Sequence, residues 1–295
     1  MNYYSAKEIA VLWGISTQMV RRYCKEGRIP SAIQWDGNWL IPAEAVKPGS
    51  EHMEPVELPS LAKKILYQRI RNNHFGIYEY IQVNLAYHSG RMASNRLTRN
   101  QIEDVYRTGK VGVAFEPMKV DDLIETVNHF SCVREAVDTI AQPLSPNLIR
   151  RYHSLLTYGT SADVRRKTGI GEYRTAPAAF GLPPKEIPRA LTDLIRDYER
   201  LPADLDRLLS FHVQFERIRP FDDYNGRTGR IILLKECLRH DICPFILSDK
   251  SRATYLQGLQ SWDEDPEILK ETVTHAQTRF KKKMELCKLM QYHRG

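Results

Sequence analysis

Apolar positions along the chain recur mostly at helical spacing. In the first 46 residues, Ile9, Leu12 and Trp13 follow Ser5-Ala6-Lys7-Glu8. That opening is a capping box, in which the serine and the glutamate three residues on each satisfy a backbone N–H of the other. Gly14 ends the helix. Ser16 caps a second one, running through Met19, Val20 and Tyr23 to Gly27, and together they predict a helix-turn-helix. Ile33 to Ile41, turning at Asp36-Gly37-Asn38, predicts a hairpin or wing. Residues 47–60 hold three prolines and a glycine without a period, so they read as a linker. From Leu61 on, the spacing predicts helices over 61–86, 98–108, 119–140, 145–158, 185–199, 202–218, 226–240, 250–261 and 265–292. The one clear interruption, Thr168 to Pro184, is rich in Gly and Pro and predicts a short hairpin at Gly171-Glu172-Tyr173-Arg174-Thr175. The expected fold is mainly α. A winged helix-turn-helix spans 1–46 and a linker spans 47–60. An all-α domain with a small β-hairpin flap and a C-terminal helical extension fills 61–295.

Composition adjusts this picture little. The 295 residues suffice for a large and a small domain, and 42% hydrophobic with 27% charged residues is ordinary. No apolar run reaches membrane-spanning length and no signal-peptide core opens the chain, so no membrane partner and a cytoplasmic location are expected. Five cysteines without CxxC spacing point to reduced thiols over a disulfide frame or zinc site. A net charge of +7 permits nucleic-acid binding without requiring it. The second helix carries Gln18, Arg21, Arg22 and Lys25, residue types that contact grooves and phosphates. DNA is therefore the expected partner of this module. The other reading is a small helical interaction module, since six basic residues through Lys47 face four acidic ones.

The candidate chemistry lies at Arg219-Pro220-Phe221-Asp222-Asp223-Tyr224-Asn225-Gly226-Arg227-Thr228-Gly229-Arg230. A helix starting inside this stretch offers free N–H groups to an anion. Arg227 and Arg230, three apart, share one face and suit phosphate oxygens. Asp223 is a candidate Mg²⁺ ligand, because Mg²⁺ takes one or two carboxylates plus substrate phosphates. The pattern suits a metal-bound polyphosphate.

The stretch resembles the Fic family signature, H-P-F-x-(D/E)-G-N-G-R-x-x-R. The lead-in Phe211-His212-Val213-Gln214-Phe215-Glu216-Arg217-Ile218 also fits, and the likeness extends over residues 61–262 or so. The resemblance implies a protein adenylyltransferase lineage, moving AMP to Ser, Thr or Tyr of a partner. It implies that Asp223 holds Mg²⁺ and that Asn225, Gly226, Arg227 and Arg230 hold the polyphosphate. It further implies Mg²⁺ with ATP or another nucleotide as cofactor, if binding is retained. Two positions depart from the signature. Arg219 replaces the family's catalytic His, and a guanidinium has no lone pair with which to take a proton. Loss of a general base costs roughly 10²–10⁴ in rate. Arg219 either adds charge beside the phosphates or pairs with Asp222 or Asp223 and closes the site. Tyr224 replaces a Gly. It is expected to impose ordinary backbone angles and either to stack on a base or to narrow the pocket.

His88-Ser89-Gly90-Arg91-Met92-Ala93-Ser94-Asn95-Arg96-Leu97-Thr98 resembles the family's inhibitory segment, S-x-x-I-E-G-N-x-L-T. Ser89 and Asn95 keep the pattern. Ala93 stands where the family's Glu pairs with the second Arg, so Arg230 is expected to lack its carboxylate partner. Gly171, Glu172, Tyr173 and Arg174 resemble the flap that holds a target protein as an added strand. Residues 1–46, with the ending Trp39-Leu40-Ile41-Pro42, resemble MerR- and excisionase-like winged helix modules. The expected function is a DNA-linked regulator with a nucleotide cradle and impaired catalysis. The alternatives are an active transferase with Arg219 as charge clamp, and a transcription regulator whose Fic fold serves a homodimer.

Overall fold

The computed structural model describes residues 3–29, 32–35, 37–42, 45–49, 58–70, 75–111, 118–164 and 169–292. The expected turn residue Asp36 and most of the expected linker lie outside them.

The N-terminal module opens with β1 (Tyr3–Ser5) and runs through α1 (Ala6–Leu12) and α2 (Thr17–Lys25) to a hairpin of β2 (Ile33–Trp35) and β3 (Asn38–Pro42). Ser5 and Glu8 form the reciprocal cap, at 2.6 and 3.3 Å. Ser16 caps α2 through the Met19 N–H at 3.2 Å. β1 was too short to show in the sequence. It pairs antiparallel with β3, matching Tyr4 to Ile41, and gives the sheet order β1-β3-β2. Ile9, Val20, Cys24, Ile29 and Ile41 close a small core of the module's own. Val11 and Leu12 also pack on the larger core beyond it.

The remainder is helical. The expected helix over 61–86 is two, α3 (Ser60–Ile70) and α4 (Ile77–Met92). Phe75 is left-handed (φ 68°), and a Cβ on Gly76 would lie 2.5 Å from Gln68 Oε1. That absent Cβ leaves room for the Gln68 amide to accept the Tyr78 N–H at 2.9 Å, which starts α4. There follow α5 (Arg99–Thr108), α6 (Val120–Asp138), α7 (Pro146–Thr157), a single turn α8 (Ser161–Val164), and α9 (Ile187–Glu199) behind a 3₁₀ turn. Then come α10 (Leu205–Ile218), α11 (Asn225–Arg239), α12 (Arg252–Gln260) and α13 (Glu267–Tyr292).

α11 is the axis of this domain. Every residue from Arg227 to Leu238 is buried, against α10, α7 and α6. Truncating one of its core leucines costs about 2–5 kcal/mol. Close approach to α10 depends on Gly229, where a Cβ would sit 2.7 Å from His212 Cε1. Toward its far end, the fully buried Lys235 donates to Glu236 at 2.6 Å and to the Gln142 carbonyl. The Gln142 side chain in turn lies against Gly14, in the turn between α1 and α2.

No strand forms among the described residues of the expected flap hairpin. Residues 169–183 instead run as a strap whose polar groups bind the α10 terminus. The Arg174 N–H donates to Pro220 O (3.0 Å), and its guanidinium to the carbonyls of Arg219 (2.8 Å), Ala176 (3.0 Å) and Leu182. One side chain thus ties the strap to the end of α10. All five cysteines are free thiols, and no helix among the described residues is long and apolar enough to cross a membrane.

Candidate functional site

The site is the loop between α10 and α11. α10 ends at Arg219 in the left-handed conformation (φ 47°), with Pro220 preventing its continuation. Phe221 is 1% exposed and stacks on His153 at 3.8 Å, wedging the loop into the core. Asn225 clamps the same residue, accepting from Phe221 N (3.0 Å) and donating to Phe221 O (2.8 Å). Its side chain therefore shapes the loop, leaving the backbone of Asn225, Gly226 and Arg227 to meet a ligand. The first intrahelical bond runs from Thr228 N to Tyr224 O, so those three N–H groups have no acceptor within α11.

Tyr224 overturns the expectation of ordinary backbone angles. It holds φ 62°, ψ 9°, the left-handed geometry a glycine adopts freely. Its ring is 3% exposed in the domain core, on the wall of a small cavity shared with Glu125 and Arg227. Glu125 and Arg227 hold it there. Its hydroxyl donates to Glu125 Oε1 at 2.6 Å, and the Arg227 guanidinium lies 3.3 Å over its ring. Arg227 also pairs with Glu125 at 2.9 Å. Glu125, on α6, is the functional neighbour that the sequence did not reveal.

Arg230 takes a hydroxyl where the family signature's partner is a carboxylate, and no carboxylate pairs with it among the described residues. Its Nε donates to Ser89 Oγ at 2.9 Å, and the second-segment residue Ala93 is exposed at the C-cap of α4. Asn95 fixes that segment by donating to Asp122 O (2.8 Å) and accepting from Leu97 N (3.1 Å). A Cβ on Gly226 would meet Arg230 Nη1 at 3.0 Å, so the glycine permits the close guanidinium. Asp223 leaves its carboxylate two-thirds exposed, with Oδ2 turned to Arg227 (3.6 Å) and not to Arg219. A part-exposed carboxylate beside helix-start N–H groups and two arginines is a donor set that fits Mg²⁺ and a polyphosphate.

The neighbouring histidines are all buried. His212 meets the Tyr255 hydroxyl at 2.7 Å, and burial beside Arg230 pushes it down to about 3. His129 is likewise pushed to about 3 by burial, with Arg230 and Arg227 nearby. His153 is tied to the Asp223 carbonyl at 3.2 Å. Burial raises Glu216, against Arg230 and Arg219. At the loop mouth stands Arg219, half-buried, with Gly181 of the strap closely packed on it: a Cβ there would lie 3.0 Å from Arg219 Cβ.

In the strap, Gly171 is left-handed (φ 78°), and its Cβ would lie 2.2 Å from Ser154 Oγ. Glu172 pairs with Arg150, and Tyr173 leans on Phe221 at 5.9 Å. On the N-terminal module, Gln18, Arg21, Arg22 and Lys25 form an exposed face of α2. Arg22 is partly engaged there by Glu26 at 3.7 Å.

This geometry, a phosphate-type loop mounted between two buried helices, places the domain among Fic-like folds. Residues 143–237 match the model of the Fic/DOC family, and residues 3–47 match that of a helix-turn-helix domain. The chain thus carries a helix-turn-helix domain followed by a Fic-family domain. Among solved structures, a Fic domain containing signaling protein from Bacteroides thetaiotaomicron is 17% identical, with TM-score 0.60, covering 77% of this chain and 96% of that one. Fic-1 from C. elegans is 18% identical with TM-score 0.59, covering 76% and 70%. A Fic family protein from Desulfovibrio desulfuricans is 17% identical with TM-score 0.55, covering 80% and 77%. At these identities the likeness is one of fold. No curated protein matched the sequence.

Proposed function

We propose that this protein is a DNA-linked regulator whose Fic-type cradle binds a Mg²⁺-nucleotide without passing its AMP to a protein hydroxyl. Arg219 carries the reading. It stands where the family signature has a proton acceptor, and a guanidinium offers no lone pair to take a proton. None of the neighbouring histidines takes over, because His129, His153 and His212 are each at most 3% exposed. In the cradle, Asp223 would hold Mg²⁺, and the backbone of Asn225 to Arg227 with Arg227 and Arg230 would hold the phosphates. Mg²⁺ would neutralise phosphate charge and orient the chain. Arg219 adds a further positive charge at the mouth. The face of α2 formed by Gln18, Arg21, Arg22 and Lys25 would enter a major groove, and the exposed strap would meet a protein partner.

The test is titration of Mg-ATP into the protein and into Arg219→Ala and Arg219→His versions, with labelled ATP and lysate run in parallel. The wild type is expected to bind and label nothing, and Arg219→His to gain labelling. Strong labelling by the wild type, abolished in Arg219→Ala, overturns the reading in favour of an active adenylyltransferase with Arg219 as clamp. For the DNA arm, a gel-shift on the DNA upstream of the gene should be lost on Arg21→Ala. Binding without sequence preference that vanishes at modest salt would count against an operator.

A further inference from the structure

Glu125 and His129 are one turn apart on α6 and line the same small cavity of about 10 Å³, with Asn95, Tyr224 and Arg227 on its other walls. Positions i and i+4 share a helix face, so their side chains can meet. Today they do not. Glu125 Oε1 accepts from Tyr224 (2.6 Å) and pairs with Arg227 (2.9 Å). Glu125 Oε2 lies 3.4 Å from Asn95 Nδ2. Meanwhile His129 is 3% exposed, and neither ring nitrogen has a hydrogen-bond partner. An imidazole N–H left bare in the interior is costly and needs a reason.

Arg227 explains the arrangement. Its side chain is 8% exposed, with the guanidinium carbon 3.3 Å from the Tyr224 ring centroid and an ion pair to a carboxylate. Its Nη1 stands at the Glu125 carboxylate without completing a hydrogen bond, so a phosphate that takes the fork must displace that charge. Polyphosphate and Glu125 therefore compete for one cation. The loser is an anion that still needs a donor, since an unpaired buried carboxylate is disfavoured.

We propose that Glu125 is an internal competitor for the cradle. In the free protein it holds Arg227, and when a polyphosphate takes Arg227 the Glu125 carboxylate turns one helical step to the N–H of His129. The inference rests on the nucleotide-cradle reading given above and adds its regulation. It makes the resting cradle weak for polyanions and gives the displaced carboxylate a prepared place.

The test is calorimetric titration of Mg-ATP, and separately of Mg-tripolyphosphate, into the full chain. Glu125→Gln keeps the shape but removes the competing charge, and should tighten binding about tenfold. His129→Phe removes the resting place and should weaken the wild type about fivefold, yet leave Glu125→Gln unchanged, because the two act in one step. Arg227→Ala should abolish binding in every background. Unchanged or weaker binding by Glu125→Gln, with Arg227→Ala still abolishing binding, overturns the competitor and leaves the cradle standing. No binding by any version overturns both. If Glu125→Gln does not fold, the ring ¹⁵N shifts of His129 in the wild type decide. They should move to hydrogen-bonded values on saturation with Mg-ATP, and an unmoved spectrum overturns the exchange.

Discussion

Substituting Tyr224 by Gly and by Ala tests the loop geometry on which the cradle depends. Both changes remove the same buried ring and the same hydroxyl bond to Glu125. Emptying an aromatic site costs about 3–5 kcal/mol. Losing a hydrogen bond to a charged group adds about 1.5–3 kcal/mol, part of which overlaps with the first loss. The two variants differ only in the backbone. At φ 62° a residue with a Cβ carries about 1–2 kcal/mol of left-handed strain that glycine does not. Glycine gives back part of this through the larger entropy of its unfolded chain, about 0.5–1 kcal/mol. Tyr224→Gly should therefore be the more stable of the pair by roughly 0.5–1 kcal/mol. That reverses the usual order, in which Ala is the better residue in ordered backbone. Urea unfolding at 25 °C, followed by far-UV circular dichroism, measures both midpoints and slopes. A Tyr224→Ala midpoint at or above that of Tyr224→Gly, with equal slopes, would refute a left-handed residue at this position.

Gly229→Ala should destabilise the protein by about 1–3 kcal/mol in urea, because the new methyl would press on His212 and Glu216 of α10. His129 and His212 are both depressed to about 3, below an unfolded value near 6.5, so the unfolded state binds more protons between those limits. Their contribution to stability is full above about pH 6.5 and falls as pH drops toward 3, by up to about 1.4 kcal/mol per pH unit for each. Urea midpoints at pH 7, 6 and 5 should show that slope, shallower in His129→Phe. Arg174→Met should free the strap from the carbonyls of Arg219, Ala176 and Leu182 and accelerate limited proteolysis within 175–183, which mass spectrometry of the fragments would locate.

What the sequence made legible was local chemistry. Ser5, Glu8, Ser16 and Gly14 act on backbone groups within four positions, so caps and turns could be read directly. The long helices showed through their period. The split at Phe75 and Gly76 was hidden because apolar spacing continues across it, and only the Asn-rich approach with Gly76 hinted at a break. β1 has three residues and exists only because β3 lies beside it. At the site, the motif placed Asp223, Arg227 and Arg230 on one loop and helix start, but not their partners. Glu125 reaches Arg227 from another helix, and no spacing rule connects them. Tyr224 misled for a physical reason. Side-chain type argues against positive φ, and the compensation comes from tertiary contacts to Glu125 and Arg227. Ser89 belongs to a readable local pattern, while its service as acceptor for Arg230 depends on how α4 crosses α11.

The contact between Gln142 and the Gly14 turn sets a thermodynamic condition on the whole chain. α11 starts at the cradle and is about 22 Å long at the usual rise. Its Lys235 grips the backbone of the residue whose side chain abuts the turn before α2. Under the proposed function, any coupling carried through this seam must be reciprocal. A nucleotide that changes operator affinity by some factor has its own affinity changed by that same factor on the operator. Occupied DNA sites would then set how much nucleotide the cradle retains, as much as nucleotide sets how much DNA is bound.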